Sequence, residues 1–86
     1  MNTSLKLTPA RKLGRMIREA RDPRSQQQLA ELIGTKQPVI SRYERGTVPS
    51  NGHLAALIFH LGLDAEEVYE LVHRHYEDQR RAKAAA

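Results

Sequence analysis

Apolar positions recur at helical spacing in five separate stretches of this 86-residue chain, and helix-capping or helix-breaking residues stand between them. Leu13, Met16, Ile17 and Ala20 sit at i, i+3, i+4 and i+7, an inward stripe for a first helix. Thr8 can cap it, Pro9 suits its first position, and it runs to about Arg21, where Asp22-Pro23-Arg24 breaks it. Ser25 caps a short second helix with Leu29, Ala30 and Ile33 on one side. Gly34 ends it, where a left-handed backbone carries no Cβ clash. Ala30 is small enough for another helix to cross close above it. Pro38 is tolerated only in a first turn, so the third helix starts at about Lys36 or Gln37, and Gly46 stops it. Ser50 caps a fourth helix with the stripe Leu54, Leu57, Ile58 and Leu61, closed by Gly62. The fifth opens on Asp64-Ala65-Glu66-Glu67, an acidic capping box that also suits the helix dipole, and extends as far as Arg81. Its apolar arc is Ala65, Val68, Tyr69, Val72 and Tyr76.

These elements predict an all-α, compact five-helix bundle. Residues 1–7 form a loose arm, 8–76 the domain, and 77–86 the end of the fifth helix with a frayed tail from residue 79.

The third helix divides into two faces. At about 100° per residue, Val39, Ile40, Tyr43 and Glu44 fall on one side, and Gln37, Pro38, Ser41, Arg42 and Arg45 on the other. One side can pack. The other offers hydrogen-bonding groups of the kind that reads base edges in a major groove, where glutamine pairs with adenine and arginine with guanine. An ordinary αα-hairpin with a solvated polar face is the plainer alternative. Glu44 lies on the packed side, and a carboxylate there needs a partner, for which Arg21 is the best candidate.

The stretch Ser25–Gly46 resembles the helix-turn-helix of the lambdoid-phage-repressor, or XRE, family. Gln26 stands first in that pattern, Ala30 fifth, Gly34 ninth and Ile40 fifteenth, and the ending Ser41–Gly46, SRYERG, is typical of it. Thr35 departs from the pattern's usual apolar residue, and the connection Asp22-Pro23-Arg24 is shorter than the family's. The resemblance implies a lambda-repressor-like fold and sequence-specific binding of double-stranded DNA to regulate transcription. By the same resemblance, Gln37, Pro38 and Arg42 match base-contacting positions, with Ser41 nearby. Gln26 matches a residue that contacts phosphate and braces the glutamine at Gln37. Arg21 and Glu44 match a structural ion pair. Lys36 and Arg45 are expected phosphate contacts that fix register without reading sequence.

Charge strengthens this picture. Residues 1–24 carry seven Lys/Arg against two acids, residues 25–49 three against two, and residues 50–86 four against six. A basic first half beside the third helix is what a phosphate-facing surface requires. Arg11, Arg15 and Arg18 lie off the first helix's stripe, where they can contact phosphate or simply water, and most are assigned to water.

Other chemistry is not legible. The chain has no cysteine, hence no disulfide framework. His73 and His75 are two apart and face different sides of a helix, and His53 and His60 lack ligand neighbours, so no metal site is expected. No phosphate loop or activated nucleophile appears, so neither an enzyme nor a cofactor is expected. The longest apolar run, Leu54–Phe59, is six residues against the ~20 that span a bilayer. With no apolar signal segment either, a cytoplasmic protein is expected.

A single recognition helix reads few base pairs, so a homodimer on an inverted repeat is expected, joined through the fifth helix. The candidate contacts are Val72 and Tyr76, with Phe59 or Leu71 beside them; the alternative is that this stripe folds back on its own core. Two other functions stay open. One is an antitoxin that binds both DNA and a toxin. The other is a protein-interaction module on the same scaffold.

Overall fold

The computed structural model describes residues 7–85. Five helices follow one another: α1 Pro9–Arg21, α2 Gln26–Ile33, α3 Gln37–Glu44, α4 Asn51–Leu61 and α5 Ala65–Ala85. Of the expected N-terminal arm, residues 1–6 lie outside the described residues, and Leu7 is half-buried beside α1. Among the described residues there is no strand, and no helix is long and apolar enough to cross a membrane.

Four of the five helix starts, all but that of α3, are held by short polar side chains that accept from backbone N–H groups the first turn leaves open. Thr8 does this for α1 and Ser50 for α4, while Asp64 Oδ1 accepts from the N–H groups of both Glu66 and Glu67. At α2 the cap is reciprocal: Ser25 Oγ accepts from Gln28 N at 3.0 Å, and Gln28 Oε1 accepts from Ser25 N at 2.9 Å.

Every helix gives the core at least one fully buried side chain: Leu13 and Ile17, Leu29, Ile40, Leu54 and Leu57, and Val68. Burial of each such side chain stabilises the fold by roughly 1.5–3 kcal/mol. Met16, Ile33, Val39, Ile58 and Leu61, expected on the inward stripes, pack against this cluster only partly buried. Ala10 and Gly14 are also buried on α1. Gly14 marks a close crossing of α1 with the end of α3. A Cβ built there would lie 2.6 Å from the carbonyl oxygens of Tyr43 and Glu44, so only glycine lets α1 lie against the end of α3.

Two expectations for α5 need correction. Its inward face centres on Val68 and Leu71, not on the arc through Tyr69 and Tyr76, which are 46% and 51% exposed. Leu71 is 5% exposed and belongs to the core, so it is withdrawn as a contact for another molecule. The periodicity defined an apolar arc, but α1, the main neighbour, selected which part of it turns inward. The helix also continues to Ala85 where fraying was expected. Alanine, arginine and lysine all favour helix there, Arg80 pairs with Glu77 at 3.3 Å, and Asp78, Gln79 and Ala82 line a groove against the start of α1.

Candidate nucleic-acid interface

The turn between α2 and α3 is set by Gly34, at φ 79°, whose N–H reaches back into the last turn of α2. Thr35 N then bonds Ala30 O at 2.8 Å, and Lys36 precedes α3 without a side-chain cap. Ala30 is fully buried at this crossing. Ile40 and Tyr43 anchor α3 inward, and Tyr43 Oη shares a hydrogen with His53 Nδ1 at 2.6 Å, tying α3 to the first turn of α4. That tie was not legible beforehand, since nothing in a Tyr and a His ten residues apart announces it.

A chain of hydrogen bonds runs from α1 to the outward face of α3. Arg21 Nε donates to Glu44 Oε2 at 2.5 Å and Nη2 to Oε1 at 3.2 Å, a two-point pairing of guanidinium and carboxylate. The Arg21 side chain is 17% exposed and that of Glu44 6%. Hydrogen bonding to Glu44 raises the Arg21 pKa above its already high ordinary value, against the opposing effect of burial. Arg21 Nη1 also donates to Arg24 O at 2.8 Å, so the short connection closes around the pair instead of preventing it.

Glu44 Oε1 accepts a further bond from Gln26 Nε2 at 2.9 Å, and Gln26 Oε1 accepts from Gln37 Nε2 at 2.5 Å. The direction of these bonds has a cause. An ionised carboxylate only accepts, so Gln26 must turn its NH₂ towards Glu44 and its oxygen towards Gln37. Gln37 must then donate, which leaves its own oxygen and its second amide hydrogen for another partner. One acceptor and one donor side by side is the pattern that matches adenine in the major groove.

Around Gln37, the side chains of Pro38 and Arg42 are exposed and Ser41 is half-buried, while Lys36 and Arg45 stand exposed at the two ends of the helix. Four of these groups thus stand on one eight-residue helix, and Lys36 and Arg45 flank its two ends. Gln26 sits differently from the rest, because both ends of its amide are engaged within the protein. The dimer candidates scatter: Phe59 is 80% exposed on α4, Tyr76 lies on α5, and Val72 is partly buried against the core. Arg11, Arg15 and Arg18, all exposed, line one cleft with Arg45, where water and phosphate can both reach them. Their spacing of i, i+4 and i+7 was the available signal.

The histidines fall apart from one another. His60 packs edge-on to Phe59, His75 to Tyr76, and His73 lies 3.9 Å from Glu77.

A family model described as helix-turn-helix matches residues 17–68, from the core of α1 through α2, α3 and α4 to the buried start of α5. Among curated proteins and among solved structures, nothing matches the chain. The match covers more than half of the residues and contains every group of the hydrogen-bonded chain just described. The protein belongs to the XRE, or lambda-repressor-like, family of helix-turn-helix DNA-binding transcription regulators.

Proposed function

We propose that the protein is a repressor that binds double-stranded DNA sequence-specifically, as a homodimer on an inverted repeat. The observation that carries this reading is the Glu44–Gln26–Gln37 chain, which holds one glutamine amide in one orientation on an exposed helix face. A side chain meant only for water has no need of such support.

Gln37, Pro38, Ser41 and Arg42 meet base edges in this reading. Gln37 pairs with adenine and Arg42 with guanine, and Pro38 supplies the apolar contact that a thymine methyl accepts. Lys36 and Arg45 contact phosphates and set the register. Gln26 contributes to phosphate binding through its backbone N–H and its second amide hydrogen, its other amide groups being committed. Occupying a promoter in this way blocks transcription without any further domain.

Dimerisation supplies what one short helix lacks. Two recognition helices one DNA turn apart, about 34–36 Å, read both halves of an inverted repeat. The outward side of α5, with Tyr76 and the edge of Val72, is the proposed joint, and Phe59 adds a second apolar contact from α4. A toxin or another protein partner is the second reading, favoured by the 80% exposure of Phe59. Selection of bound sequences from a random duplex pool tests the proposal. Enrichment of an inverted repeat with half-sites one turn apart is expected; a pool with no enriched sequence overturns it.

A further inference from the structure

Between α1 and the end of α3 lies an open cleft of about 870 Å³ whose walls are mainly arginine: Arg11, Arg15, Arg18, Arg21 and Arg45. Two of these are already paired, Arg21 with Glu44 and, at 3.8 Å across an exposed helix turn, Arg15 with Glu19. Among the described residues no ion pair engages Arg11, Arg18 or Arg45, and Asp22 is the one remaining acid on the rim. The walls are not loose side chains alone. Gly14 seats α1 on the carbonyl groups of Tyr43 and Glu44, and the Arg11 stem passes so close over Gly46 that a Cβ there would lie 3.0 Å from its Cγ.

Volume and shape select the ligand. The cleft is far larger than a single small anion, open along one side, and lined by more polar than apolar surface, so it suits a polyanionic strand. Its position does the same. Arg45 forms one wall and stands one helical turn beyond Ser41 on the outward side of α3. A helix seated in a major groove has a phosphate backbone on either side of it, and duplex DNA carries a charge every ~1.7 Å of axis.

We propose that this cleft seats the phosphodiester backbone of bound DNA, with Arg11 and Arg18 neutralising phosphates beside the one met by Arg45. This rests on the DNA-binding reading and extends the contact from the recognition helix to α1. The contact is blind to sequence, because phosphates are the same at every base pair.

The rival role for these arginines is internal. The end of α3 presents the negative pole of a helix, and nearby cations stabilise such an end without any ligand. The full chain with Arg11→Gln and Arg18→Gln together separates the two, since glutamine keeps most of the stem and removes the charge. Binding to a random-sequence duplex is measured across salt concentrations, alongside thermal melting. The proposal expects the plot of log affinity against log salt to flatten by about 0.9 per arginine in each protomer. Between 50 and 200 mM salt that is roughly a tenfold smaller loss of affinity per protomer, with base preference unchanged. A wild-type slope combined with a lowered melting temperature overturns it and assigns the arginines to the helix end. Arg18→Gln alone, expected to give half the change, keeps the test decisive if the double variant unfolds. No duplex binding by the wild type at low salt would overturn the DNA-binding reading itself, a result distinct from an unchanged slope.

Discussion

Glu44 is the residue on which the site turns. It is a nearly buried carboxylate, and three donors from two other helices meet it: two from Arg21 and one from Gln26. Its need for a partner was legible in the sequence, because an acid on the packed side of an amphipathic helix is costly without one. Its second duty, orienting Gln26 and through it Gln37, was not legible, since hydrogen-bond direction depends on three helices meeting; the family resemblance pointed only to the Arg21–Glu44 pair and to Gln26 bracing Gln37. Removal of one member of a buried ion pair costs ~3–5 kcal/mol, because the other is left charged and unpaired. Glu44→Ala and Arg21→Ala should therefore each lower stability by about that much, and the double variant by clearly less than the sum. Denaturant melts of the three variants measure this, and strictly additive losses would show the two residues to be uncoupled. The pair should hold across the working pH range on its cationic side. Arg21's raised pKa means that this stability is present below its unfolded value and lost only as pH climbs through the still higher folded one.

At the scale of elements, helix ends were legible where a cap or a breaker stands, α3 being placed by Pro38 and Gly46 without a side-chain cap. Ser25, Gly34, Ser50 and Gly62 each stand where a helix starts or stops. The face of α5 was misjudged because Tyr69 and Tyr76 count as apolar in a periodicity yet keep part of the ring in water, while Leu71 packs in the core. Gly14 was invisible for another reason: glycine has no side chain to mark a face, and its role comes from a neighbour thirty residues away. Replacing it tests the α1–α3 crossing. Gly14→Ala gains helix propensity, but its methyl group would meet two carbonyl oxygens at 2.6 Å. Overpacking of that kind costs ~1–3 kcal/mol, so a net loss of stability is expected. Gly52→Ala is the matched control, because a Cβ there meets nothing within 4 Å, and it should stabilise α4 by roughly 0.4–1 kcal/mol. Thermal melts in which Gly14→Ala stabilised the protein as Gly52→Ala does would remove the close crossing.

At the scale of the whole molecule, α3 carries the proposed reading face, its C-terminal end forms the basic cleft together with α1, and α5 presents a surface of its own. The five-helix architecture and the position of the motif followed from periodicity and spacing, whereas the cleft did not, because it exists only once α1 and α3 are packed. Association can be tested apart from recognition. Tyr76→Glu puts a charge into the proposed joint, where it would be buried without a partner. Sedimentation should show the variant as monomer under conditions that give the wild-type dimer, with weakened binding to an inverted repeat. Unchanged association and binding would remove α5 as the joint. The central claim, that the outward face of α3 reads bases, is tested most directly by measuring affinity for every single-base substitution of a selected site. The wild type, Gln37→Ala and Arg42→Ala are compared. Each variant should lose preference at one or two positions per half-site, worth ~1–3 kcal/mol of discrimination, and keep it elsewhere. Wild-type preference at every position in both variants would contradict the account.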